Sequence, residues 1–149
     1  VGRDKYVYKL KFIETLLSHL RSIMASGDPY VLGGDFNVAP TDLDVHDPEG
    51  WHEQILCSTP ERQAFQALLH TGATDALRLL YPNKQFFTWW DYRSGAFQNN
   101  RGLRIDHFLV SPATCDRLKA GDVESTVRGV EKASDHAPIW ITCDLWLAL

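Results

Sequence analysis

Tyr30-Val31-Leu32-Gly33-Gly34-Asp35-Phe36-Asn37 is the stretch that decides how the chain is read. Three apolar residues run into two glycines, then a carboxylate and a carboxamide follow. The pattern predicts a buried strand that stops abruptly and presents Asp35 and Asn37 at its end. Residues i and i+2 of an extended chain share a side, so the two polar groups face one site. The glycines let other backbone or a ligand come close. Taken alone, the stretch fits a strand end followed by an ordinary polar turn equally well.

On its N-terminal side, Leu10, Ile13, Leu16, Leu17, Leu20, Ile23 and Met24 fall at helical spacing with one apolar stripe. Gly27-Asp28-Pro29 ends that helix. Helix followed by strand is the grammar of a layered α/β protein. On the C-terminal side, Val38 to Ser58 reads as a long polar connection. Thr59-Pro60 predicts an N-cap with proline at the first helical position, opening a helix that carries Phe65, Leu68 and Leu69 and stops at Gly72. Ala76 to Leu80 fits a further short turn. Phe86 to Tyr92 is dense in β-formers, and Arg93 to Gly102 reads as a hairpin connection into a strand over Leu103 to Ser111. A short helix is expected over Pro112 to Ala120, an edge strand over Val123 to Val130, and a last strand over Ala137 to Trp146. No repeat or linker interrupts residues 1–149, which read as a single domain.

With 149 residues, 44% of them hydrophobic, and five Trp, the chain can build a core of its own. No run approaches the roughly 20 apolar residues of a membrane span. Val1-Gly2-Arg3-Asp4-Lys5 lacks the apolar core of a signal peptide and an initiator Met, so the chain is expected to begin mid-protein. Cys57, Cys115 and Cys143 are far apart and show no zinc spacing, which suggests reduced thiols in a cytoplasmic protein. A net charge of -4 gives no global sign of nucleic acid. The charge is uneven, however. Asp35, Asp42, Asp44, Asp47, Glu49, Glu53 and Glu61 lie in a span without Lys or Arg, while Arg3, Lys5, Lys9 and Lys11 cluster at the start and Arg93, Arg101 and Arg104 later. Solvated surface is the ordinary reading of such clusters. The sharper one is basic contacts around an acidic metal centre.

Three polar clusters sit at strand ends: Asp35 with Asn37, Asp106-His107, and Ser134-Asp135-His136. Asp106 stands among the apolar Ile105, Phe108, Leu109 and Val110, and a buried carboxylate needs a partner. One arrangement satisfies all three clusters. Asp106 accepts a hydrogen bond from one ring nitrogen of His136, fixing the tautomer and directing the other nitrogen at substrate. Asp35 positions or deprotonates a water, Asn37 binds a phosphate oxygen or a metal-bound water, and Asp135 holds a divalent ion. Oxygen-rich ligation favours Mg²⁺ or Mn²⁺ over zinc. The reaction class is metal-assisted hydrolysis of a phosphate ester. His19, His46, His52, His70 and His107 keep a structural reading, and His107 points to the face opposite Asp106.

Gly34-Asp35-Phe36-Asn37, Pro40-Thr41-Asp42-Leu43-Asp44, Trp89-Trp90-Asp91-Tyr92-Arg93, Asn100-Arg101-Gly102-Leu103-Arg104-Ile105-Asp106 and Ser134-Asp135-His136-Ala137-Pro138 follow one another in family order. The chain resembles the C-terminal part of bacterial exonuclease III, in the endonuclease/exonuclease/phosphatase superfamily. The GDxN and SDHxP motifs point to the superfamily; the other three select the exonuclease III branch. The resemblance implies an α/β fold, one half of a four-layer sandwich with a mixed, mostly antiparallel sheet and flanking helices. It implies that Asp35 activates water, Asn37 holds the phosphate, His136 contacts the scissile phosphate and Asp106 orients His136. It places Asp35, Asn37, Asp135 and His136 around the metal. Trp89, Leu103 and Ile105 match positions that line a pocket for an extruded abasic sugar, and Arg93 and Arg101 are the candidate substrate-binding cations. The N-terminal half of such proteins, with a metal-binding Glu, an Asn and a Tyr, has no counterpart in this sequence. Two expectations follow: the chain alone is inactive or nearly so, and the sheet face left bare is apolar and pairs with a second copy. Another phosphoesterase of the superfamily, or a non-catalytic DNA-binding or assembly module, are the alternatives.

Overall fold

The computed structural model describes residues 2–144. Helix α1 spans Arg3–Ser26 and ends where Gly27 turns left-handed (φ 76°) and donates its N–H to Met24 O. It begins seven residues before the apolar stripe, because its first turns have partners of their own. Tyr6 Oη lies 2.9 Å from Ser58 Oγ, and Lys9 pairs with the buried Glu61. The stripe places Ile13 and Leu20 in the core, each worth about 1.5–3 kcal/mol of burial.

Strand β1 (Val31–Asp35) runs antiparallel to β3 (Asp106–Val110), with Val31 opposite Val110 and Asp35 opposite Asp106. The two-residue β2 (Thr74–Asp75) pairs with the other edge of β3, giving the order β1-β3-β2. A second antiparallel pair joins β4 (Leu118–Val123) to β5 (Ile139–Cys143). Helices α2 (Thr59–Leu69), α3 (Ala76–Leu80) and α4 (Pro112–Cys115) complete the α/β architecture. Leu32 and Leu109 lie on one face of the first sheet and pack with Ile13, Leu20, Phe65 and Leu68 of α1 and α2. The opposite face carries Val31, Gly33 and Phe108, and ends at Asp35 and Asp106. Gly33 keeps that space open, since a Cβ would stand 2.5 Å from the Phe108 ring and force it to move.

Several expectations are corrected. Strand β1 is not buried: it is the edge of its sheet among the described residues, and Val31 is 49% exposed. Ser58, not Thr59, is the N-cap of α2, in a capping box with Glu61 that makes Thr59 the first helical residue. Phe86 to Tyr92 forms no ladder; its contacts are single bridges from Trp89 to Leu103 and to His136. The helix after Pro112 stops at Cys115, because Leu118–Val123 is drawn into pairing with β5. The edge strand therefore lies before Val123, and Ser125–Gly129 is a 3-10 turn. The last strand is described as Ile139–Cys143, and the residues past 144 that were expected to continue it lie outside the described residues.

The charged clusters are corrected too. Arg104, Asp44 and Glu61 are fully buried, not solvated. Arg104 Nε donates to Asp44 Oδ1 at 2.7 Å and Nη1 to Asp75 Oδ2 at 2.7 Å. His107 bonds to Val38 O at 2.9 Å, on the face of β3 opposite Asp106.

Candidate active site

Asp35 ends β1 and Asp106 begins β3, and their antiparallel register places them side by side. His136 arrives from the segment before β5, held by the bridge to Trp89. One ligand atom from each of Asp35, Asp106 and His136 lies within 4.8 Å of the others. His136 Nδ1 donates to Asp106 Oδ2 at 2.9 Å, which leaves Nε2 facing Asp35 Oδ2 at 4.0 Å. The hydrogen bond to Asp106 raises the His136 pKa; burial opposes this, and the charges of Asp106, Asp35 and Asp135 add to the rise. The imidazole is thereby biased toward the cation, the form that suits a phosphate oxygen.

Asn37 adopts a left-handed backbone (φ 52°), which Asn tolerates better than most residues. Its backbone N–H donates to Asp35 Oδ1 at 2.8 Å and its Nδ2 to Asp35 Oδ2 at 2.6 Å. Lys9 Nζ donates to Asn37 O at 2.9 Å and so ties the turn to α1. Burial raises the Asp35 pKa; the Asn37 amide opposes it and the Asp106 charge raises it further. Two carboxylates crowded about one imidazole form a site that a divalent cation would relieve, and hard oxygen donors suit Mg²⁺ or Mn²⁺. The donor set therefore fits the expected metal. A groove of about 480 Å³ between α1 and β1, with Tyr8 and Phe12 on its wall, opens at Asp35 and Asn37.

The remaining predicted residues are placed as follows. Asp135 accepts from Trp89 Nε1 at 2.9 Å and lies outside the three-residue cluster. Trp89 is half-buried against Leu103 and Ile105, which are themselves fully buried in a cluster with Ala39, Val45 and Cys57. Arg93 is exposed and chelates Asp91, while Arg101 reaches Ser94 O at 2.5 Å; neither touches the Asp35 cluster. Thr88 is the residue that sequence reasoning passed over. It is fully buried, and its Oγ accepts from the N–H groups of both Ile105 (3.0 Å) and Asp106 (3.1 Å). Its signal was available: it is the one hydroxyl inside the aromatic run Phe86-Phe87-Thr88-Trp89-Trp90.

A carboxylate pair and a carboxamide at the ends of two antiparallel strands, with an oriented imidazole beside them, make a candidate site of the kind that metal-assisted phosphoesterases use. The model of the Endonuclease/Exonuclease/phosphatase family matches residues 2–136, and the chain belongs to that family. It is 39% identical over 143 residues to exodeoxyribonuclease III of Haemophilus influenzae, covering 91% of this chain and 54% of that protein. Among solved structures, it matches a 3′ phosphatase from Neisseria bound to a product DNA hairpin, with a TM-score of 0.91 and 48% identity over 95% of this chain and 55% of that one. An AP endonuclease from Archaeoglobus fulgidus matches with a TM-score of 0.88 and 34% identity, again over 95% and 55%. The chain thus spans about half the length of the relatives it matches.

Proposed function

We propose that this chain forms one wall of an exonuclease III-type active site, in a protein that cleaves duplex DNA at abasic sites and trims or unblocks 3′ ends in base-excision repair. The observation that carries this reading is the convergence of Asp35, Asp106 and His136 at two strand ends. A bacterial, cytoplasmic setting follows from the same reading. Among the described residues no helix is long and apolar enough to cross a membrane.

In this reading a water held by Asp35 attacks the phosphorus in line, and the 3′ oxygen leaves on the opposite side. Asp35, hydrogen-bonded by Asn37, fixes the direction of that water and takes its proton. Asn37 also stands within reach of a phosphate oxygen. His136, kept in one tautomer by Asp106, presents Nε2 to the phosphate and offsets the charge that grows on it. Asp35, Asn37, Asp135 and His136 are the residues expected around Mg²⁺ or Mn²⁺, with Asp106 adding a carboxylate oxygen near Asp35 and His136; the ion would supply charge neutralisation at the phosphate and the leaving oxygen. Trp89 would abut an extruded abasic sugar, and Arg93 and Arg101 would meet the DNA backbone.

The test is Mg²⁺-dependent cleavage of a duplex with one abasic site, or with a blocked 3′ end, by the protein that carries this chain. EDTA should abolish cleavage and Mg²⁺ should restore it. Cleavage that persists in EDTA, or activity confined to inositol or lipid phosphates, would overturn the reading. The 149-residue chain by itself is expected to be inactive or nearly so, since Asp35 and Asn37 line an open wall. Its bare sheet face, with Val31 exposed, also suits a two-fold dimer, which light scattering at micromolar concentration would detect.

A further inference from the structure

The geometry points to Thr88 as a positioning residue for the Asp106–His136 pair. The consequence of this role for turnover rests on the phosphodiesterase reading; its geometry does not. Phe36 N donates to Ile105 O and Ser111 N to Tyr30 O, so with the observed register the Ile105 carbonyl and the backbone groups of His107, Leu109 and Ser111 turn toward β1. Asp106 turns its own N–H away from β1. Strand β2, which would have met it, pairs only with Leu109 and Val110. The amide of Asp106 is therefore left without a strand partner at the point where its side chain must be held still. A partly buried N–H in that position is best answered by an acceptor, and the Thr88 hydroxyl is the one it has. The same oxygen accepts from Ile105 N.

Thr88 also reaches the other half of the pair. Its carbonyl accepts from Ala137 N at 2.7 Å, the residue directly after His136, and its own N–H donates to Leu103 O at 2.9 Å. Its neighbours repeat the pattern. Trp90 N donates to Asp135 O, and Trp89 Nε1 donates to the Asp135 carboxylate. Gly102 is what lets this segment lie so close, since a Cβ there would stand 2.8 Å from Trp89 O. One fully buried residue thus ties both the strand that carries Asp106 and the segment before β5 that carries His136. The 2.9 Å contact between those side chains is set by backbone ties that converge on Thr88. A hydroxyl is needed and the volume alone is not, because valine would fill the space and leave two amides unanswered.

The experiment compares Thr88→Val with Thr88→Ser in the protein that carries this chain. Thr88→Val should lower kcat on abasic DNA by about 10²-fold with KM little changed, and Thr88→Ser should restore most of it. In parallel, proton NMR should show a low-field resonance from the His136 Nδ1 proton. It should broaden or vanish in Thr88→Val and persist in Thr88→Ser, while the amides of Ile105 and Asp106 exchange faster only in the valine variant. If Thr88→Val keeps both kcat and the imidazole resonance, or Thr88→Ser is as damaged as Thr88→Val, the role is refuted. Should the valine variant not fold, deuterium exchange in the wild type decides: fast exchange at Ile105 and Asp106 refutes it, and slow exchange with serine rescue supports it. Absence of DNA cleavage by the wild type would remove the functional reading, and the resonance and exchange data would still decide the role of Thr88.

Discussion

Asp106 and His107 are neighbours in β3, yet they belong to two clusters of similar composition on opposite faces of the sheet. Inside, Asp44 and Asp75 surround Arg104 and His107, and Arg78 reaches Asp44 from the edge. Two carboxylates meet two guanidinium groups, and His107 accepts from Arg104 while it donates to Val38 O. Burial alone would raise both acids, but Arg104 outweighs it and holds Asp44 and Asp75 below the usual carboxylate range. Outside, Asp35 and Asp106 share a single imidazole, and Asp35 is shifted up instead. The composition of a cluster does not mark function. What sets the outer cluster apart as a candidate site is surplus negative charge at the open end of a strand.

The largest effect that separates the two clusters is on turnover. His136→Asn or Asp35→Asn should lower DNA cleavage by about 10²–10⁴-fold, the range for a lost acid–base or phosphate-binding group, with little change in urea midpoint. If turnover survives, the outer cluster has no claim on the chemistry.

The inner cluster should respond in the opposite currency. Arg104→Met leaves the buried Asp75 without a guanidinium and Asp44 with Arg78 alone, and is expected to destabilise the fold by about 3–5 kcal/mol in urea unfolding. The fraction that remains folded should retain most of its turnover. A normal urea midpoint for Arg104→Met would mean that the network does not hold the fold together.

Acid should pull the two apart by sign. Asp44 and Asp75 have depressed pKa values when folded, so the stability they add is present above their unfolded value of about 4 and is lost as pH falls below it. Asp35 is raised, so its ionised form is disfavoured by folding. In metal-free buffer Asp35→Asn should be slightly more stable than the wild type at neutral pH, with the difference vanishing below about pH 4. Urea midpoints of wild type, Asp44→Asn and Asp35→Asn from pH 3 to 7 measure both slopes. Equal slopes for the two variants would erase the contrast.

How much of this was legible differs between the same two regions. Strand β1 and the stripe of α1 could be read from local strand and helix patterns, and the residues that meet at the outer site from motif order. Arg104 could not be placed: beside Arg93 and Arg101 it looks like one more surface cation, and only the approach of Asp44 and Asp75, 60 and 29 positions away in sequence, makes its burial possible. Phe86 to Tyr92 misled for a related reason. Thr88 N and Trp89 N both donate to Leu103 O and Trp90 N crosses to Asp135 O, so the segment ties together the stretches that lead into β3 and β5 and joins neither strand. Leu118–Val123 was hidden because pairing with β5 overrides a weak local helix signal.

Cys57 supplies the limiting case of the comparison: a titratable group buried without a countercharge strong enough to hold its ionised form. It is 3% exposed, and burial pushes its pKa up to about 11, with Arg62 opposing only in part. A raised pKa favours the protonated form on folding, so the associated stability is complete below the unfolded thiol value of about 8.5 and is lost as pH rises through the folded one. Cys115 and Cys143 are partly exposed and free, which makes them internal controls. Alkylation at pH 8 followed by peptide mapping should therefore modify Cys57 last, and in urea the three thiols should react at similar rates. Rapid labelling of Cys57 in the folded protein would mean that the loop behind Leu103 and Ile105 opens readily. The apolar floor beneath Trp89 would then be a mobile lining, and the line between a rigid interior and an open site would have to be redrawn there.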